Sequence, residues 1–140
     1  MAFNLFTSFG YFKTDQEHLD SLINFKKALK PGGRLVLDYF NSYKVVQNLV
    51  AEEIETVKGI NFHIQKMIEC DQIVKTIAFF DKNRTYTFHE RVRLFTIADF
   101  KHLFEQSGFE IMTNFGSYGL DDFDLDRSDR LIFICKRSDA

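Results

Sequence analysis

The stretch Ala28-Leu29-Lys30-Pro31-Gly32-Gly33-Arg34-Leu35-Val36-Leu37-Asp38-Tyr39-Phe40 constrains the fold more than any other. A helix running into Ala28 and Leu29 has to stop there, because the ring of Pro31 removes a donor and clashes with the preceding turn. Gly32 and Gly33 offer the positive-φ freedom that a tight reversal uses. Leu35-Val36-Leu37 is then a continuous apolar run, the pattern of a strand buried on both faces beneath helices. Polarity returns at Asp38 and Asn41, where that strand should end. Ligands of open α/β sheets gather beyond the carboxyl ends of the strands, so Asp38 to Asn41 is the first place to look for a site.

The flanking pattern supports alternating α and β elements. Phe3 to Phe6 reads as the end of a short strand, and Thr7-Ser8-Phe9-Gly10-Tyr11-Phe12 as a loop of small polar and aromatic residues. Thr14-Asp15-Gln16-Glu17 reads as a capping box opening a helix, whose apolar stripe is Leu19, Leu22, Ile23, Ala28 and Leu29. Ser42 is placed to cap a short helix carrying Val45, Val46, Leu49 and Val50. From Glu53 the period changes to two: Ile60, Phe62 and Ile64 alternate with Asn61, His63 and Gln65. Asp71-Gln72 is the expected turn before the β-forming run Ile73 to Phe80, and Asp81-Lys82-Asn83-Arg84 has hairpin-turn composition. Glu53 to Phe95 is therefore expected to be an antiparallel meander inserted between strand and helix. Thr96 and Asp99 form a second capping pair. Phe100, Leu103 and Phe104 make an apolar stripe, Gly108 ends the helix, and Phe109–Phe115 and Arg130–Lys136 are the last strands.

Composition excludes several classes. At 140 residues the chain is one domain's worth, long enough to bury roughly two thirds of its unfolded surface. The 17 phenylalanines and the lack of tryptophan fit either a Phe-rich core or aromatic walls around a ligand. A formal net charge of -2 with no basic block argues against nucleic acid. No apolar run is long enough to span a bilayer, and the N-terminus has no signal-peptide pattern. Cys70 and Cys135 form no close motif, which fits reduced thiols and a cytoplasmic location; both fall within predicted apolar strands, which disfavours a nucleophilic role. Asp122, Asp124 and Asp126 have alternate spacing, but Arg127 and Phe133 occupy the positions where a calcium loop has glycine and glutamate. His18, His63, His89 and His102 show no metal-ligand spacing.

Leu29-Lys30-Pro31-Gly32-Gly33-Arg34-Leu35 with its following strand resembles the fifth-strand segment of class I S-adenosylmethionine-dependent methyltransferases. Phe3-Asn4-Leu5-Phe6-Thr7-Ser8-Phe9-Gly10-Tyr11-Phe12 resembles the segment after the fourth strand in a subgroup of that superfamily. Arg91-Val92-Arg93-Leu94-Phe95-Thr96 and Gln106-Ser107-Gly108-Phe109-Glu110 match the closing region of the same subgroup. The resemblance spans nearly the whole chain. It implies an α/β fold, the C-terminal half of a Rossmann-like methyltransferase sheet with an inserted antiparallel β-meander, as a single partial domain over residues 1–140. The family's glycine-rich cofactor turn has no counterpart in this sequence, where no two glycines have G-x-G spacing.

The resemblance further implies that Thr7, Ser8, Phe9 and Gly10 lie on the cofactor side, and that Tyr11 and Asn41 lie at the carboxyl ends of adjacent strands on the substrate side. Tyr118, in the break Gly116-Ser117-Tyr118-Gly119, joins the substrate-side set. His89, Arg91 and Arg93 share a strand face with Thr87 by period two. Facing a cleft, the arginines would clamp an anionic acceptor; facing outward, they are a solvated surface. The expected function is a fragment of a S-adenosylmethionine-dependent methyltransferase acting on a small acceptor, anionic if the arginines face the cleft, and inactive alone. The alternative is a non-catalytic module that self-associates or binds a protein. S-adenosylmethionine is the cofactor of the full-length family, with none expected on this chain by itself. A homodimer through Phe3, Leu5, Phe6, Phe9 or the strands from Ile60 to Phe80 is expected, because open edges and apolar faces recruit other chains.

Overall fold

A computed structural model describes residues 1–5 and 8–138. The chain packs as two compact units, one of residues 1–47 with 95–140 and one of residues 48–94. The first unit contains β1 (Ala2–Asn4), α1 (Asp15–Ala28), β2 (Arg34–Phe40) and α2 (Ser42–Gln47) before the second unit interrupts it. The second contributes β3 (Glu52–Val57), β4 (Ile60–Glu69), β5 (Gln72–Asp81) and β6 (Arg84–Arg93). The first unit then finishes with α3 (Ile97–Ser107), β7 (Phe109–Phe115) and β8 (Arg130–Arg137). This is the element order that the sequence predicts, and β7 and β8 pair antiparallel, as the methyltransferase resemblance implies.

The sheet of the first unit runs β1-β2-β8-β7, with β1 parallel to β2 and the other neighbours antiparallel. Leu35, Leu37 and Tyr39 stand directly opposite Cys135, Phe133 and Leu131, so one face presents a block of six large side chains. Leu22 of α1 and Phe100, Leu103 and Phe104 of α3 cover that block and complete one core with Phe9, Phe95 and Phe109. Val36 and Ile134, on the other face, are only half-buried, so the β2 run is sealed by helices on one side and not on both. The Phe-rich composition resolves here into packing: Phe100 lies within 6.0 Å of the rings of Phe9, Tyr39, Phe95, Phe104 and Phe133.

Local details correct several expectations. Thr14 Oγ1 accepts from the Glu17 amide at 3.2 Å, but Glu17 Oε2 accepts from the amide of Lys13 and not from that of Thr14. The full reciprocal box occurs at Thr96 and Asp99. Gly32 takes a positive φ of 74°, whereas Gly33 does not; Gly33 is demanded instead by space, since a Cβ there would sit 2.7 Å from the Lys30 carbonyl oxygen. Ser42 begins α2, yet its hydroxyl donates to the Phe95 carbonyl at 2.7 Å and does not cap the helix. Leu49 and Val50 fall beyond α2. Arg137 of β8 donates to the carbonyls of Lys26 and Leu29, which ties the end of α1 to the sheet.

The second unit is a four-stranded antiparallel meander in the order β3-β4-β5-β6. Its hairpins turn on residues with positive φ: Lys58-Gly59, Cys70, and Lys82-Asn83, the two pairs each positive together as in the tight turns that match strand twist. The β4–β5 turn therefore lies at Cys70-Asp71, one residue earlier than predicted, because Gln72 already pairs with Glu69 in the ladder. One face carries Phe62, Phe79 and Tyr86 side by side, with ring centroids 4.9 and 5.0 Å apart. No helix among the described residues is long and apolar enough to cross a membrane.

Cys70 lies on that exposed turn and not inside a strand, whereas Cys135 is fully buried. Burial pushes the Cys135 thiol from 9.0 up to about 12. Thiolate, the reactive form, is thus suppressed at Cys135 throughout the neutral range. We expect one thiol, Cys70, to react with an aromatic disulfide reagent in the folded chain and both to react in denaturant. Because the folded pKa exceeds the unfolded one, this group's contribution is intact below pH 9 and is lost as pH climbs toward about 12, where unfolding releases a proton. An alkaline urea series reads that loss.

Candidate functional site

The parallel register of β1 with β2, Asn4 opposite Leu37, puts the carboxyl ends of both strands at one end of the sheet. Phe40 pairs with Arg130, so the start of β8 and the loop before it arrive at the same end. The turn following β1, the end of β2 and the segment 116–130 are thereby gathered, as the reading of Asp38 to Asn41 anticipates.

Asp38 organises this end. Its side chain is 1% exposed, inside a strand, where a lone carboxylate would be costly. Arg130 answers it: Nε donates to Oδ1 at 2.9 Å and Nη2 approaches the same oxygen at 2.8 Å. The Tyr118 hydroxyl donates to Oδ2 at 2.7 Å, and the Arg130 guanidinium lies 5.6 Å from the centre of the Tyr118 ring. Burial first, then the bond to Asp38, raise the Tyr118 hydroxyl above its ordinary value, against the pull of Arg130. Tyr118 is nonetheless 58% exposed. The arrangement holds a phenol ring at the surface by its buried end.

Asn41 is buried and binds the segment before β8. Its amide nitrogen donates to the carbonyls of Leu125 and Ser128, both at 2.8 Å, and its backbone amide donates to Asp129. Lys44 of α2 adds bonds to the Arg127 carbonyl at 2.8 Å and the Asp129 carboxylate at 2.5 Å. Within that segment Asp124 Oδ1 accepts from the amides of Asp126 and Arg127, so its carboxylate shapes the loop.

Of the residues expected on the cofactor side, Thr7 lies outside the described residues. The hydroxyl of Ser8 donates to Asn4 Oδ1 and the Leu5 carbonyl. Phe9 is buried in the core, and Gly10 has φ 105°. Tyr11 is half exposed at the surface of this turn. His89, Arg91 and Arg93 belong to the other unit. There His89 Nδ1 shares a hydrogen bond with Thr76 at 3.2 Å, Arg91 pairs with Glu69 at 3.3 Å, and Arg93 pairs with Asp71 at 3.2 Å. The arginine charges are met by acids on the neighbouring hairpin. The meander also carries an open groove of about 550 Å³, lined by Phe62, Ile77, Phe79 and Phe88 with Lys75, His89 and Glu90 among its polar residues.

Sequence reading missed Arg130 as a partner at this end of the sheet and assigned Asp38 no role of its own. A carboxylate two residues inside an apolar strand is a signal that a cation must lie across from it. Its partner stands 92 positions away, and only the β2–β8 register identifies it.

No family model and no curated protein matches this sequence. Solved structures do match. A S-adenosylmethionine-dependent methyltransferase from Clostridium acetobutylicum superposes with a TM-score of 0.81 at 16% identity, over 94% of this chain and 55% of that one. The methyltransferase CcbJ from Streptomyces caelestis gives 0.80 at 15% identity, over 97% of this chain and 56% of the other. The sugar N-methyltransferase KedS8 from a Streptoalloteichus species gives 0.66 at 16% identity, over 99% and 56%. The chain has the partial Rossmann-like fold of S-adenosylmethionine-dependent methyltransferases. It spans little more than half the length of these relatives in structure.

Proposed function

We propose that these residues form the C-terminal portion of a S-adenosylmethionine-dependent methyltransferase acting on a small molecule, inactive without the remainder of that fold. The observation that carries this reading is the convergence of the 8–12 turn, Asp38, Asn41 and Tyr118 at the carboxyl end of a sheet whose fold is that of such enzymes. The cofactor would supply an activated methyl group on a sulfonium. The residues present fit only one wall of its site: Ser8 spends its hydroxyl on Asn4 and Leu5, and these 140 residues contain no glycine-rich turn. No step is therefore derived through it. What this chain contributes is positioning, which suffices for a reaction whose electrophile is already activated. Tyr11 and Tyr118 would face the acceptor, with Asp38 and Arg130 fixing Tyr118.

An amino sugar is the acceptor class to try first, since KedS8 is a sugar N-methyltransferase. The test is transfer of labelled methyl by this chain combined with a polypeptide carrying a glycine-rich strand-turn-helix half. Activity that falls at least tenfold in Tyr118→Phe, with the fold intact, supports the reading. Full activity in that variant removes Tyr118 from the site.

The exposure of Phe3 at 59% and Met67 at 57% favours self-association as a second property, through Phe3, Leu5 or the meander strands from Ile60 to Phe80. Phe6 lies outside the described residues, and Phe9 is 1% exposed, so the core claims it and no interface can. Sedimentation at micromolar concentration should give a dimer; a clean monomer overturns this part. A cytoplasmic location accompanies the proposal, consistent with two reduced cysteines.

A further inference from the structure

We infer that His18 is the positioning residue of the 9–12 turn, and that protonating it releases that turn. The inference rests on the reading above only in taking this turn as a wall of the methyl-transfer pocket. His18 and Leu22 are the buried residues of α1, one helical turn apart. At position 18 the inward stripe would be filled equally well by leucine, yet it holds an imidazole that is 1% exposed. Its Nε2 accepts from the Phe12 amide at 3.2 Å. The neutral ring therefore carries its proton on Nδ1, which lies 3.7 Å from Asp15 Oδ1.

The ring is wedged between Phe9, Phe12 and Phe95, with centroids 5.2, 5.4 and 5.0 Å away. His18 thus joins helix, turn and core at one point, and Tyr11 sits beside the amide it holds. A second proton would go on Nε2 and face the Phe12 N–H, donor against donor, so the contact must open. Among the described residues, the charged group recorded against the ring is Asp15, from its own helix. The turn and the segment before α3 present phenylalanine rings. Asp15 favours the charged form, whereas burial and the Phe12 amide favour the neutral one. Protonation of the ring on acidification then loosens residues 9–12 and Tyr11 with them.

Amide hydrogen exchange by NMR on the 140-residue chain, corrected for intrinsic rates, tests this without cofactor or acceptor. A failed latch and a failed methyltransferase reading are therefore told apart. Protection of the Phe12 amide, relative to that of Leu22, should fall about tenfold between roughly pH 7.5 and 5.5. His18→Gln, which offers an acceptor oxygen and does not titrate, should keep Phe12 protected and flat with pH. His18→Leu should lose the protection at every pH. Wild-type protection that stays flat on acidification overturns the inference, as does His18→Leu with Phe12 as protected as in the parent. If the leucine variant fails to fold, the comparison of wild type with His18→Gln decides.

Discussion

Replacing Asp38 by alanine should destabilise the first unit by about 3 kcal/mol, measured as a drop in urea midpoint at unchanged slope. The cost arises because Arg130 and the Tyr118 hydroxyl would lose the carboxylate that both address, at 2.8 and 2.7 Å. Arg130 keeps a side-chain exposure of 20%, so water can recover part of its charge and the value sits at the low end for a broken buried pair. Tyr118→Phe removes one hydrogen bond and should cost about 1 kcal/mol. The ordering matters more than either value. Equal effects would mean that the carboxylate is held by Tyr118 and that the Arg130 pair contributes nothing.

Phe100→Ala should cost about 4 kcal/mol, the usual range for emptying a fully packed phenylalanine site. Phe100 has no exposed surface and touches rings from β2, α3 and β8 together. Leu125→Ala is the matched control: that side chain is 48% exposed, outside the proposed self-association surface, and its removal should change stability by no more than about 0.5 kcal/mol. Urea unfolding of the two variants checks both values, and equal losses at the two positions would show that packing at Phe100 contributes nothing special.

The periodic parts of this fold were legible because each element states its own pattern. The Pro31-Gly32-Gly33 stop, the two-residue alternation of the meander and the Thr96–Asp99 box all act within a few residues of chain. The functional end was legible as a place and not as a mechanism. Asn41 stands where ligands of such sheets bind, but its amide is spent on Leu125 and Ser128, which lie 84 and 87 positions away. The Asp38–Arg130 pair and the Ser42 bond to Phe95 have the same character: each depends on registers and loop paths that no local pattern encodes. His18 was unreadable for a different reason. A single histidine on an amphipathic helix looks like an ordinary stripe residue until the Phe12 amide is found against it. The alternation that put Thr87, His89, Arg91 and Arg93 on one face could not say which acids, Glu69 and Asp71, would meet the arginines.

The central claim is that these residues carry one wall of a methyltransferase site and not the cofactor anchor. Calorimetric titration of S-adenosylmethionine into the 140-residue chain tests it most directly. Ligands of this kind are anchored in related folds by a glycine turn leading into a helix N-terminus, which this sequence lacks. The account predicts no binding tighter than about millimolar, roughly 4 kcal/mol. Binding at micromolar concentration, saturating at one site per chain, would contradict it.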